Sequence, residues 1–485
     1  MDQASNPNIT PQASGGQRGQ TANLQTAGNW CQSPPGHGEQ GMTRRQAVAF
    51  GLLGVTGAAA MGTACYRAFL AARAAKAEKA GAAVPAAASG PNAPVAATPA
   101  GKPASIFKGD APKGELWELW RQRGWAHEGQ HYLSLGRNVQ CKICPNGCIL
   151  EPEDRSHCRN RVNKDGKLYT LAYGDPCALH VDPIEKKPLF HFLPGAIAFS
   201  LATSGCVLRC LNCQNWDISQ KKPEETKDPT GPQVRPKPEG LARLTAQDHQ
   251  RLTLLPEDVV AAAQHFGCAT IAYTYSEPIA YYEYMYDTAR LARAKKIRNL
   301  MITCGHINEE PLAGLCQYLD AASVNLKSFS EEIYNTLNEG GLQPVLGTLK
   351  TLKKHGVWFE VINLVVPTYT DKPDMIKRMC GWLVDNLGVD YPLHFSRFHP
   401  QHKLLHLPLT PPDILLQARE LARQAGLRYV YIGNVRGIEG AETTFCPGCK
   451  KPVVARDGFF VAANGLKAGK CGNCGTAIAG VWENA

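Results

Sequence analysis

The chain has 485 residues, enough for roughly two to four folded units, and its 44% hydrophobic content is that of a globular protein able to bury a full-size core. The formal charge of +10 comes from Lys and Arg residues scattered along the chain and through linkers, which describes a solvated surface and argues against nucleic-acid binding. Eleven of the 18 cysteines fall in three tight clusters with metal-ligand spacing, which excludes a disulfide framework and points to thiolates on metals in a reducing compartment.

Residues 1–41 are polar and rich in Gly, Gln, Asn and Pro, so they cannot build a core and read as a disordered leader, or as a misassigned start ahead of Met42. Arg44 and Arg45 precede an apolar Ala/Gly-rich run, so that 42–65 has the form of a twin-arginine export signal, a pathway for folded, cofactor-loaded proteins. Arg67, Arg73, Lys76 and Lys79 follow that run, and by the positive-inside tendency they favour a cytoplasmic catalytic part. Export or membrane anchoring and a cytoplasmic location therefore both stand. Residues 66–113 are Ala/Pro-rich and read as a linker.

Residues 114–195 read as a small cysteine-rich domain. Its first element, Leu116 to Arg123, has helical spacing with Trp117 and Trp120 on neighbouring faces, the pattern of a packing helix. Cys141, Cys144, Cys148 and Cys158 follow on Gly/Pro-interrupted loops. Four thiolates close either a zinc site or a second iron-sulfur cluster with no open iron, and the spacing does not separate a structural staple from an electron relay. Cys177 and His157 are spare ligand types nearby.

From Ala196 to 437 short β-rich runs alternate with helical ones. The predicted strands are Ile197 to Ala202, Ala269 to Tyr275, Asn299 to Thr303, Ser323 to Leu326, Trp358 to Val366, Leu393 to Phe398 and Tyr429 to Ile432. Such units give an α/β fold with a parallel sheet and chemistry at the C-terminal strand ends. Lys221 to Arg251 reads as a loop insertion over the mouth of that sheet, and Cys268, Cys316 and Cys380 as small core residues. After the first strand comes Cys206-x3-Cys210-x2-Cys213. Three thiolates on one short loop hold a four-iron cubane and leave one iron open, whereas zinc or a closed ferredoxin-type centre would want a fourth ligand nearby.

That loop, together with Asp182-Pro-Ile-Glu-Lys-Lys-Pro-Leu-Phe-His-Phe-Leu-Pro-Gly195, Cys213-Gln-Asn-Trp-Asp-Ile-Ser-Gln220, Tyr273-Thr-Tyr-Ser-Glu-Pro278 and Tyr429-Val-Tyr-Ile-Gly-Asn434, resembles the radical S-adenosylmethionine (SAM) enzymes. The nearest branch by these motifs is the pyruvate formate-lyase-activating-enzyme-like proteins of the AmmeMemoRadiSam system, and the resemblance runs from about Cys141 to the C-terminus. It implies a partial (β/α)6 radical SAM barrel, a [4Fe-4S] cluster on Cys206, Cys210 and Cys213, SAM on the open iron and a one-electron reductant. It places Ser276 and Glu277 at the SAM amino group and Lys327 at its carboxylate, while Asn325 stands where the family carries Asp. Asn212 replaces the usual aromatic near adenine, and Thr303 to Gly305 and Asn363 to Val366 lie at further strand ends. His394, with His399 and His402 close by, is a candidate SAM contact, and Arg397 a partner for a substrate carboxylate. Memo-type and AMMECR-type companions and a protein substrate are the implied partners.

In 438–485, Cys446-x2-Cys449 and Cys471-x2-Cys474 have the spacing of a zinc-ribbon or rubredoxin-like module, read as structural zinc with redox iron as the other possibility. The function expected is reductive SAM cleavage to a 5′-deoxyadenosyl radical that abstracts hydrogen from a protein or partner-presented substrate. The competing expectation is an iron-sulfur electron-transfer protein of the cell envelope that uses the same cysteines without cleaving SAM.

Overall fold

A computed structural model gives the fold and describes residues 106, 107 and 109–483. The leader at 1–41, the twin-arginine-like segment at 42–65 and most of the 66–113 linker lie outside the described residues. Among the described residues no helix is long and apolar enough to cross a membrane.

An eight-stranded sheet positions everything else. It comprises β1 (Ala178–Pro183), β2 (Ile197–Ala202), β3 (Thr270–Tyr273), β4 (Arg298–Thr303), β5 (Ala321–Asn325), β6 (Trp358–Val365), β7 (Leu393–Arg397) and β8 (Val430–Gly433), hydrogen-bonded in chain order. β2 to β8 are all parallel, and β1 pairs antiparallel to β2 as an edge strand. Between them run α1 (Pro256–His265), α2 (Tyr282–Ala294), α3 (Glu309–Cys316), α4 (Leu342–Lys354), α5 (Pro373–Leu387) and α6 (Pro412–Gln424). The seven parallel strands match the seven predicted runs to within a few residues, one more than the six strand-helix units that the resemblance implies. β1 carries no alternation that would have marked it as a strand.

Side chains alternate across the sheet, and each face has its own cover. Ile271, Tyr273, Met301, Val324, Phe359 and Val361 share a core with helix residues such as Leu312, Val345, Leu349, Ile376 and Leu415. On the other face, Ala198, Ala272, Leu300 and Ala321 meet Ile184, Leu189, Phe192 and Leu193. These last four belong to the Asp182–Gly195 motif, which therefore folds under the N-terminal ends of the strands as an apolar plug.

The C-terminal ribbon packs on that plug. Its antiparallel strands Thr444–Phe445, Pro452–Asp457 and Phe460–Asn464 bring Arg456 beside Glu185 at 3.5 Å, both side chains wholly buried. The Arg456 guanidinium also donates to the Phe190 carbonyl at 2.5 Å, and backbone hydrogen bonds tie Val481 to His191 and Leu193.

The N-terminal cysteine region is built from two small sheets, one holding Tyr132–Leu135, Asn138–Cys141 and Ile149–Leu150, the other His127–Glu128, Arg161–Lys164 and Lys167–Thr170. The predicted packing helix forms over Gly114–Gln122, with Trp120 inside against Trp125 and its indole N–H on the Leu171 carbonyl at 3.0 Å. The 221–251 insertion differs from the expected mouth loop. It folds into short helical turns and straps this region, through Arg155 to Glu224, Lys222 to Asp110 and Arg123 to the Pro229 carbonyl. Two of its charges, Glu224 and Lys222, which look like part of a solvated loop in sequence, are paired with groups 69 and 112 residues away.

Candidate cluster and cofactor site

The chain leaves β2 at Ala202 and turns into the three-cysteine loop at the C-terminal edge of the sheet. Gly205 makes that turn with φ +88, and a Cβ there would lie 2.4 Å from Asn160 Oδ1 and 2.5 Å from the Cys158 carbonyl, so conformation and space both demand glycine. The β5–α4 connection holds the loop from the far side, Arg209 and Leu211 donating their N–H groups to the Asn338 and Leu337 carbonyls. Cys206 and Cys210 are buried and Cys213 half-buried, with Ser219 Oγ 3.1 Å from the Cys213 sulfur.

Residues from three neighbouring strand ends converge here. Glu277 follows β3 and is 3% exposed. Its carboxylate accepts from Thr303 Oγ1 at 2.6 Å, the Cys304 N–H at 2.8 Å and the Ile279 N–H at 3.3 Å. Ser276 Oγ donates to the Thr203 carbonyl at 2.5 Å. Asn325 closes β5 with its amide on the Thr303 carbonyl at 3.2 Å, and the Lys327 N–H donates to Tyr334 Oη at 2.9 Å. Burial pushes the Cys206 thiol up, and the charges of Glu277, Cys210 and Cys213 push it further. Burial alone would depress Lys327, but the thiols of Cys210, Cys304 and Cys213 around it hold it above its ordinary value. A single ammonium thus faces a group of buried sulfurs.

The N-terminal cysteine group abuts this loop. Asn160 Nδ2 donates to the Ser204 carbonyl at 2.6 Å and Asn146 Nδ2 to the Val207 carbonyl at 2.8 Å. Arg159 lies in the field of both Cys206 and Cys158. Asn160, Asn146 and Arg159 carried no signal in the sequence, because each acts on residues 44 to 61 positions away through tertiary contact.

The uncharacterized protein MJ0808 of Methanocaldococcus jannaschii is 43% identical over 354 residues, 72% of this chain and 98% of that one. The chain belongs to the same family as MJ0808. The Radical SAM superfamily profile matches residues 200–380, the span from β2 through α5 that carries the cysteine loop, Glu277 and Lys327. That span is a Radical SAM domain. Among solved structures it is similar to a domain of a pyruvate-formate lyase-activating enzyme from Bacteroides vulgatus, at 13% identity and TM-score 0.30 over 34% of this chain and 98% of that one. It is also similar to a radical SAM methyltransferase from Sphaerobacter thermophilus, at 12% identity and TM-score 0.36 over 51% and 68% of the two chains. SuiB of Streptococcus suis, solved with S-adenosylmethionine bound, is 11% identical with TM-score 0.34 over 52% and 53%.

A Radical SAM domain implies a [4Fe-4S] cluster and SAM, and the residues at the loop fit both. Burial and the neighbouring thiols push the Cys206 and Cys213 thiols up, so holding them as thiolates takes a cation, a charge that iron supplies. Lys327 is a ready partner for a carboxylate beside them.

His394 does not join this site. Its Nε2 lies 2.7 Å from Glu360, its ring meets Phe190 edge-on at 4.9 Å, and Tyr431 lies 4.9 Å away, so it belongs to the aromatic group over the plug. The side chains alternating along β7 send it to the plug-covered face, which spacing along one strand could not reveal. Of its neighbours, His399 is exposed, whereas His402 stacks on Trp216 at 5.5 Å just beyond the cysteine loop. Arg397 donates to the Thr410 carbonyl at 2.9 Å, and Asn363 to that of Leu326 at 2.8 Å.

In the ribbon, the sulfurs of Cys446, Cys449, Cys471 and Cys474 all lie within 4.8 Å of one another, with Cys446 3.6 Å from Cys474 and Cys449 3.7 Å from Cys471. A tetrahedral ion with bonds of about 2.3 Å sets its sulfurs about 3.8 Å apart, so these four fit one metal ion. A strong chelator is expected to release about one ion per chain and to open the 446–474 segment to proteolysis, since these strands have little core of their own. Unchanged protease resistance after metal loss would show that the ribbon holds without it.

Proposed function

We propose that this radical SAM protein is an activating-enzyme-like enzyme of the AmmeMemoRadiSam type that abstracts hydrogen from a protein or a partner-presented substrate. The observation that carries the reading is Lys327 set among the sulfurs of Cys210, Cys213 and Cys304, beside Glu277 and Asn325, at the C-terminal edge of a parallel sheet. When bound, the cluster and SAM supply a one-electron reductive cleavage that yields methionine and a 5′-deoxyadenosyl radical.

The chain's own residues place and shield that chemistry. Cys206, Cys210 and Cys213 hold three irons, and Lys327 takes the SAM carboxylate. Glu277 and Ser276 serve the amino end, Glu277 through the lone pairs left over from Thr303, Cys304 and Ile279, with Asn325 in place of an acid. The Asp182–Gly195 plug keeps water from entering through the N-terminal side of the sheet, as containment of a radical requires. The sheet then works as a partial barrel, with a one-electron reductant and Memo-type and AMMECR-type companions as partners. The test is anaerobic: protein reconstituted with iron and sulfide, reduced with dithionite and given SAM is expected to form 5′-deoxyadenosine. No product from protein that holds a reduced cluster and binds SAM would reject the reading.

Lys327→Met isolates one part of this. Losing a charge-assisted hydrogen bond costs about 1.5–3 kcal/mol, so SAM affinity should fall roughly 10- to 100-fold. Calorimetry on reconstituted protein reads this directly, with iron content as the control, and unaltered affinity would remove Lys327 from the SAM site.

A further inference from the structure

The four-cysteine group at Cys141, Cys144, Cys148 and Cys158 has no part in the function above, and its place in the fold gives it one. We propose that it holds a second [4Fe-4S] cluster, which passes one electron at a time to the cluster on Cys206, Cys210 and Cys213. The relay rests on the radical SAM reading; the identity of the second cluster does not.

The sulfurs themselves favour a cluster over zinc. All four cysteines are buried, on loops packed together around one another. Among the described residues, only the ribbon cysteines draw their ligand atoms within 4.8 Å of one another. The Cys141 group stays wider, as does the Cys206 loop, whose cubane the family implies. A single tetrahedral ion needs sulfur edges of about 3.8 Å, whereas a cubane spreads its thiolates because each binds a different iron. The ribbon and the Cys206 loop thus calibrate the two cases within one chain, and the Cys141 group falls with the cubane. Arg159 Nη1 is buried beside Cys158 with no hydrogen-bond partner among the described residues, a donor suited to the negative charge of a thiolate-ligated cluster.

Position then decides what such a cluster does. Four thiolates leave no open iron, so substrate chemistry at the metal is closed to it. The two cysteine loops are in direct contact: Cys158 places its carbonyl against Gly205, next to Cys206, and Asn146, between Cys144 and Cys148, is bonded to Val207, between Cys206 and Cys210. Asn160 fastens the same junction through Ser204. One electron from a low-potential carrier protein reduces the second cluster. That electron moves on to the SAM-binding cluster, the second cluster returns to its oxidised state, and no bond or proton changes hands.

The test uses the full chain carrying Cys206→Ala, Cys210→Ala and Cys213→Ala, which leaves the N-terminal group intact. After anaerobic reconstitution it should keep about four irons and four sulfides and give a reduced-cluster electron paramagnetic resonance (EPR) signal. Zinc without sulfide would overturn the proposal. Should that variant not fold, the wild type answers the same question, at about eight cluster irons against about four. Fully reduced wild type should further show a spin-coupled spectrum that differs from the sum of two isolated clusters, and a simple sum would overturn the relay. Neither result depends on 5′-deoxyadenosine formation with dithionite, which tests the Cys206 loop alone.

Discussion

Protein carrying Cys206→Ala, Cys210→Ala and Cys213→Ala is expected to form no 5′-deoxyadenosine above background, a fall of more than about a thousandfold. The prediction follows from position. Lys327 lies among the sulfurs of Cys210, Cys213 and Cys304, and Glu277, Thr303 and Asn325 are bonded together at the adjoining strand ends, so the residues expected to hold SAM gather at this loop. Three small substitutions leave the sheet hydrogen bonds untouched, and the loop keeps its backbone ties to Asn338 and Leu337, so loss of activity should come without loss of fold. Product assay by chromatography beside circular dichroism checks both halves. Residual cysteine-independent product would mean that the radical arises elsewhere.

Arg161→Met is expected to lower stability by about 3–5 kcal/mol, the cost of leaving a buried charge without its partner. Arg161, in the N-terminal cysteine region, forks onto Glu283 of α2 with two hydrogen bonds of 2.8 Å, and the side chains are 2% and 0% exposed. Burial would raise the Glu283 carboxyl, but Arg161 holds it below the ordinary carboxylate range. In the wild type, then, this group's contribution is complete above about pH 4.3 and is lost only as pH falls through its depressed value. Without Arg161, burial outweighs the remaining backbone hydrogen bonds, that of the Gln130 N–H at 2.8 Å among them, the folded state takes up a proton more readily than the unfolded one, and the variant regains part of its stability on acidification. Urea unfolding of reconstituted protein at pH 7 and pH 5 should therefore show a smaller deficit at pH 5. The double variant Arg161→Met, Glu283→Leu should be less impaired than the single one, and equal losses would mean that the pair matters for shape rather than charge.

Legibility in the sequence tracked the range of the interaction. The strand at Ile197–Ala202 was predicted with the bounds it has, and the loop after it was predicted at the strand end where it lies. Ser276 and Glu277 follow β3 and Asn325 and Lys327 lie at the end of β5, with Thr303 of the intervening β4 bonded to both Glu277 and Asn325, because a βα repeat turns short sequence motifs into a row of strand-end positions. What the sequence concealed was set by which face a residue meets. His394 has the spacing of a cofactor ligand, but its partners Phe190 and Glu360 come from a distant plug and an adjacent strand. The Asp182–Gly195 motif enters the sequence only as part of the family resemblance, and its role as a plug built from Ile184, Leu189, Phe192 and Leu193 shows only in the packing. The contact between the two cysteine loops depends on Gly205 meeting Cys158, a closeness that no local period encodes.

The most direct test of the account is whether SAM binds the open iron. Reduced, reconstituted protein would be given SAM labelled with 15N at the amino group, and electron-nuclear double resonance recorded on the cluster signal. The account predicts a 15N coupling, with an EPR spectrum that changes on SAM addition. An unchanged spectrum with no 15N coupling, from protein shown to bind SAM, would contradict it.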